Sequence, residues 1–144
     1  MSANSPDWFF LDTNIFVYSV TTDDPLKAQT ATELLRKALS THKGVVSYQV
    51  VQEFFNLALK RFEIRMSHLN REEYLERVFR PMLKVYSSMG LYTEALRLHA
   101  GNKISWYDSL IICAAREAGC GILYSEDLEH GQRFGSLRVV NPFL

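Results

Sequence analysis

The segment Trp8-Phe9-Phe10-Leu11 is apolar at every position, with none of the alternation expected of a strand that has one wet face. A strand covered on both faces belongs in a parallel sheet, with crossover helices above and below it. The rest of the chain keeps this pattern. The short runs Val45-Val46-Ser47, Lys84-Val85-Tyr86-Ser87, Ile122-Leu123-Tyr124 and Arg138-Val139-Val140 alternate with longer segments of helical period, as strands joined by crossover helices do. The expected class is α/β with a central parallel sheet.

The helical segments carry their own signals. A short apolar helix follows Asp12-Thr13-Asn14 and runs through Tyr18. In the next, Asp24 suits the N-cap and Pro25 the first helical position, and Ala31, Leu34, Leu35 and Ala38 form one stripe. Val51, Phe54, Phe55, Ala58 and Phe62 recur at helical spacing, which puts Glu53 in the first turns of that helix. Residues 67–82 read as a helix capped by Asn70, with Glu72-Glu73 in its first turn and Pro81 at its end. Residues 93–99 make a short helix stopped by Gly101. Ser105-Trp106-Tyr107-Asp108 opens a last helix, with Leu110, Ile111, Ala114, Ala115 and Ala118 on its apolar face and Gly119 as terminator.

A chain of 144 residues that is 47% hydrophobic has the size and apolar content of one domain, residues 1–144. Sixteen Lys and Arg balance sixteen Asp and Glu. That balance excludes the broad basic field of a general nucleic-acid binder, so any RNA or DNA contact must be local. The N-terminus has no cationic segment ahead of a long apolar run, and the longest apolar stretch, Leu110 to Ala115, is too short to span a bilayer. The expectation is a soluble, cytoplasmic protein with no membrane contact. Cys113 and Cys120 fit neither a disulfide framework nor a Cys-x-x-Cys site, and read as buried thiols.

Four acids, Asp12, Glu53, Asp108 and Asp127, lie at or just beyond the ends of these apolar runs. In open α/β sheets the carboxyl ends of the strands are where ligands bind. Two carboxylates about 4 Å apart repel by roughly 4 kcal/mol at an effective dielectric near 20, so several in one pocket call for a cation. Mg²⁺ or Mn²⁺, hard ions that prefer oxygen ligands, answer that need and point to phosphodiester hydrolysis by activated water. Each acid also has a structural reading. Asp12-Thr13-Asn14 could cap a helix, and Ser105 with Asp108 forms a capping box. Glu53 could be an ordinary polar-face residue and Asp127 a turn former. Their joint placement is harder to obtain by accident, since three of only six aspartates fall at such positions.

These segments resemble the PIN-domain ribonucleases, and most closely the VapC-like toxins of toxin–antitoxin pairs. The resemblance rests on Phe10-Leu11-Asp12-Thr13-Asn14, Gln52-Glu53-Phe54, Trp106-Tyr107-Asp108-Ser109-Leu110-Ile111 and Leu123-Tyr124-Ser125-Glu126-Asp127-Leu128. Arg138-Val139-Val140-Asn141-Pro142-Phe143 looks like the family's terminal strand. The match spans nearly the whole chain. It implies a three-layer α/β/α fold with a parallel sheet of four to five strands, Mg²⁺- or Mn²⁺-dependent endoribonuclease activity, a homodimer and a cognate antitoxin. By position Asp12 and Asp108 would be the main metal ligands, Glu53 and Asp127 would complete the acidic pocket, and Asn14 or Ser125 would orient ligands or phosphate. Ser109, where Ala is expected, and Ser125, where Thr is as common, are departures that remove no ligand.

Other residues are more ambiguous. Lys60, Arg61 and Arg65, at and beyond the end of the Glu53 helix, form a local cationic patch that could contact RNA phosphates, or simply a solvated helix end favoured by the dipole. Trp106 and Tyr107 could stack a base or pack in the core. Phe54, Phe55 and Phe62 suit an interface or the core equally. The histidines at 42, 68, 99 and 130 share no ligand spacing and read as surface residues. A housekeeping RNA-processing nuclease or an RNA-binding subunit is the alternative function. An aspartyl phosphatase is disfavoured because Asn14 stands where a second Asp would be needed.

Overall fold

The computed structural model describes residues 8–61, 64 and 66–144; Phe62 and Arg65 lie outside them. Among the described residues six strands form one sheet, β1 (Phe9–Leu11), β2 (Gly44–Ser47), β3 (Leu83–Val85), β4 (Ile122–Tyr124), β5 (Arg133–Phe134) and β6 (Leu137–Val140), in the order β3-β2-β1-β4-β6-β5. All neighbours are parallel except β5 and β6. β1 sits near the middle with every residue buried, as its unbroken apolar run predicts.

The helices are α1 (Thr13–Ser19), α2 (Pro25–Thr41), α3 (Tyr48–Lys60), α4 (His68–Tyr74), α5 (Arg80–Met82), α6 (Met89–Gly101) and α7 (Trp106–Glu117). They flank the sheet in the expected three layers. α1 packs on α2 and α3, while α6 packs on α7, which reaches β2 and β4. Gly44 lets α2 approach β2 closely, because a Cβ there would collide with Ala38 and crowd the Met82 sulfur. Under the α3 side lies an aromatic cluster. Phe54, fully buried, stacks on Tyr74 at 4.8 Å between centroids and meets Phe55 and Phe79 edge-on at 5.2 and 5.3 Å, geometries that aromatic quadrupoles favour. Phe54 and Phe55 are thus core packing.

Local chemistry explains most boundaries. Asp24 accepts a hydrogen bond from Lys27 N–H at the start of α2, with Pro25 next. Gly119, at φ 76°, takes the left-handed position just past α7. Four details differ from the sequence reading. The cap of α4 is Ser67, whose hydroxyl accepts from Asn70 N–H at 3.1 Å; the predicted cap, Asn70, is the donor one turn in. The segment up to Met82 contains a π-helical turn over Leu75–Phe79. Pro81 lies within α5, and the segment ends at Met82 as expected, one residue past the proline. The third strand is Leu83–Val85 rather than 84–87, and α6 runs from Met89, capped by Ser88, through Gly101 rather than from Thr93 to His99.

The sheet exceeds the expected four to five strands because of β5, a two-residue antiparallel edge strand too short to read as a run. Gly135, at φ 64°, turns it back into β6. Cys113 and Cys120 are buried free thiols. No helix among the described residues is long and apolar enough to cross a membrane.

Candidate active site

From β1 the sheet grows one way through β2 and β3 and the other way through β4 and β6. Such a reversal opens a crevice at the carboxyl ends of the two strands where it occurs, β1 and β4. Asp12 follows β1 directly, and Ser125, Glu126 and Asp127 follow β4. The backbone joins the two ends, since Asp12 N–H donates to Tyr124 O at 3.0 Å.

Asp12 is 6% exposed. It caps α1, its Oδ1 accepting from Thr13 N–H at 2.7 Å, and its Oδ2 accepts from the Ser125 hydroxyl at 2.9 Å. Burial pushes its pKa up to about 7, against the lowering effect of those two donors and with added repulsion from Asp127 and Glu53. The Ser125 oxygen also accepts from Asp127 N–H at 3.2 Å, so one hydroxyl orients both acids. Among the described residues no ion pair supplies a cation to Asp12, Glu53, Asp108 or Asp127.

The other acids converge from separate elements. Glu53, half-buried on α3, accepts from the Thr13 hydroxyl at 2.8 Å through Oε2 and from Gln49 Nε2 at 2.7 Å through Oε1. That same Gln49 amide also reaches the carbonyl of Tyr107 at 3.2 Å, linking α3 to the first turn of α7. Asp108 stands in this first turn. The cap of α7 uses its backbone, Asp108 N–H donating to Ser105 Oγ at 3.1 Å, so the carboxylate is not spent on the cap, and its charge reaches Asp127. Asp127, the most exposed of the four, accepts from Asn14 Nδ2 at 3.4 Å on both oxygens. Desolvation raises its pKa, followed by the charges of Asp108, Glu126 and Glu53. Asp127 and Glu53 thus act on Asp12, and Asp108 and Glu53 act on Asp127, while Asn14 bonds to Asp127 and Ser125 to Asp12.

The donor set is hard oxygen. Among the described residues no group of three or more potential ligands is close enough to enclose an ion by itself. A buried carboxyl poised near neutrality, with no cationic partner among the described residues, is what a divalent cation would drive to its ionised form.

The cationic patch lies apart. Lys60 and Arg61 are at the end of α3, about 10 Å along the helix axis from Glu53 at 1.5 Å per residue, and Arg65 lies outside the described residues. Arg71, absent from the sequence reading, joins Lys60 and Arg61 around a cavity of about 300 Å³ and has a buried Nε with no hydrogen-bond partner. A second omission is the triad Lys27, Tyr18 and Glu126. Lys27 Nζ pairs with Glu126 at 2.7 Å, and the Tyr18 hydroxyl donates to the same carboxylate at 2.6 Å. These contacts tie the Asp127 loop to α1 and α2. No local pattern announces a pairing between residues 27 and 126.

The PIN domain family model matches residues 9–133. The chain belongs to the PIN domain family. Solved structures share this PIN domain fold at low identity. A toxin–antitoxin complex from Klebsiella pneumoniae gives a TM-score of 0.64 at 16% identity, covering 92% of this chain and 96% of that one. VapC20 of Mycobacterium tuberculosis, described as a sarcin–ricin loop cleaving toxin, gives 0.58 at 19%, covering 83% and 89%. FitAcB from Neisseria gonorrhoeae gives 0.61 at 18%, covering 94% and 98%. No curated protein sequence matches the chain.

The cap of α7 offers a check that separates folding from chemistry in this PIN domain. Ser105→Ala should cost about 1 kcal/mol of stability, the usual loss for an N-cap hydroxyl, measurable by urea denaturation. It should leave the Asp108 carboxylate in place.

Proposed function

We propose that this PIN domain is an endoribonuclease that depends on Mg²⁺ or Mn²⁺ and hydrolyses RNA phosphodiester bonds, acting as the toxin of a toxin–antitoxin pair. The observation that carries this reading is Asp12: a buried carboxyl held by Thr13 and Ser125, raised to about 7, with Glu53 and Asp127 acting on it and no cation paired to it among the described residues. Asp12 and Asp108 would hold the metal, Glu53 and Asp127 completing the pocket. The bound cation would lower the pKa of water and offset charge on the phosphate. Thr13, Ser125 and Asn14 fix the carboxylates that the ion needs, through the hydrogen bonds described above. Lys60 and Arg61, with Arg65 and Arg71, would contact RNA phosphates beyond the cleavage point. The likeness to a sarcin–ricin loop cleaving toxin and to a toxin–antitoxin complex supports the RNA substrate and the antitoxin partner. A homodimer and a cytoplasmic site of action complete the proposal, the first in keeping with Met89 and Leu96, 79% and 59% exposed on one helix.

The test is incubation of the purified protein with structured RNA and with DNA in Mg²⁺, Mn²⁺ or EDTA. RNA should be cut only with a cation present. Cleavage that persists in EDTA would sink the metal mechanism. Without substrate, Mn²⁺ should raise the melting temperature more at pH 8 than at pH 5, because proton and cation compete for Asp12.

A further inference from the structure

Tyr107 is 65% exposed, a large aromatic ring left in water one residue before Asp108. Its backbone is one hydrogen bond from the acids, since the Gln49 amide touches both the Tyr107 carbonyl at 3.2 Å and Glu53 at 2.7 Å. Tyr48, the residue before Gln49, lies within electrostatic range of Tyr92 on α6 and of Tyr107. Tyr92 in turn packs against Trp106, their centroids 6.3 Å apart. Four aromatic side chains from α3, α6 and α7 therefore form one wall beside the acid crevice, and only the Tyr107 ring stands mostly in solvent.

We propose that Tyr107 is a stacking platform for an unpaired base of the RNA substrate, flanking the cleaved phosphate. The inference rests on the ribonuclease reading. Tyr107 and Asp108 share the first turn of α7, and the Tyr107 carbonyl shares the Gln49 amide with Glu53, so the nucleotide next to one held at the acids passes the turn that carries Tyr107. Glu53, Asp108 and Asp127 repel further phosphates there, which leaves the neutral base face as the part of the nucleotide this wall accepts. Bases stack readily on aromatic rings, whatever their identity. Base faces inside a duplex are already stacked, so the platform selects single-stranded or looped RNA.

The test uses fluorescein-labelled oligoadenylate and oligouridylate and the Asp12→Asn protein, in which hydrolysis is blocked, read by fluorescence anisotropy. Purines stack more strongly, so the parent should bind oligoadenylate tighter. Adding Tyr107→Ala should weaken oligoadenylate binding about tenfold, the scale of one lost base–aromatic stack, and erase the preference over oligouridylate. Tyr107→Phe, which keeps the ring, should restore both. Unchanged oligoadenylate affinity in Tyr107→Ala would overturn the proposal. If that variant instead loses affinity for an arginine-rich peptide, the ring serves a basic protein segment. If it loses self-association in sedimentation, the ring serves a second copy; either result overturns the base platform. Because the binding readout needs no cleavage, its failure is separable from failure of the nuclease assay.

Discussion

Asp12→Asn should abolish RNA cleavage and at the same time make the metal-free protein more stable at pH 8. The two effects share one cause. The Asp12 carboxyl, at 3.8 in the absence of its surroundings, is raised to about 7 in the fold, chiefly by burial. The folded state thus binds a proton that the unfolded chain has already released. The stability that this proton supplies is complete below about pH 4 and is lost as pH rises toward 7. A rise from 3.8 to about 7 corresponds to at most about 4 kcal/mol. Asn carries no such charge, so this part of the pH dependence should vanish. Its oxygen can keep the Thr13 N–H bond, and its amide can donate to Ser125, which then gives up its donor role. Some of the gain is therefore returned, and a net rise of about 1–3 kcal/mol at pH 8 is expected. Thermal denaturation of both proteins between pH 5 and pH 8 in EDTA measures this, and a nuclease assay in Mn²⁺ measures the other half. A variant that cuts RNA as well as the parent would remove Asp12 from the site. Equal pH slopes would show that the Asp12 carboxyl is already ionised in the metal-free fold.

Asp108→Asn should also abolish cleavage, but with almost no change in stability. The cap of α7 draws on the Asp108 N–H and the Ser105 hydroxyl, and both survive the substitution. What is lost is the favourable placement of a negative charge in the first helical turn, about 0.3–1 kcal/mol. On the proposed role of Asp108 as a direct ligand, its removal should weaken Mn²⁺ binding beyond the ten- to hundredfold typical of losing a partner outside the metal's own shell. Titration calorimetry with Mn²⁺ reads that loss. The contrast with Ser105→Ala is the decisive comparison: one variant loses chemistry and keeps stability, and the other loses stability and keeps chemistry. An Asp108→Asn protein with parental cleavage would reduce Asp108 to a helix-start residue.

The parts of this fold visible in the sequence are those governed by neighbours along the chain. Phe9, Phe10 and Leu11 announce a strand buried on both faces, and Asp24-Pro25 and Gly119 mark helix ends through their own backbone preferences. Asp12 and Asp127 are legible because each follows a strand that is itself legible. What the sequence hides depends on distant partners or on a choice between near equals. Ser67 and Asn70 are both good caps, and only the turn geometry decides that one accepts and the other donates. Arg133 and Phe134 become a strand only because Leu137 and Arg138 are there to pair with them. Gln49, bridging Glu53 to Tyr107, is an ordinary helical glutamine until α3 and α7 are placed side by side. The Lys27–Glu126 pair is hidden for the same reason.

The Ser125 hydroxyl, which holds Asp12 on one side and the Asp127 backbone on the other, also has a bearing on how the protein is made. Residues 12 and 125 are joined by a hydrogen bond spanning 113 positions, and β1 lacks its second neighbour until β4 exists. During translation, a nascent chain that has reached α6 already carries Asp12 and Glu53 but neither Asp108 nor Asp127. Its acid crevice is incomplete, and one side of its central strand is open. If the protein cuts RNA, it acquires that ability only once residue 127 has been added, so the ribosome making it is not exposed to a growing chain that is already active.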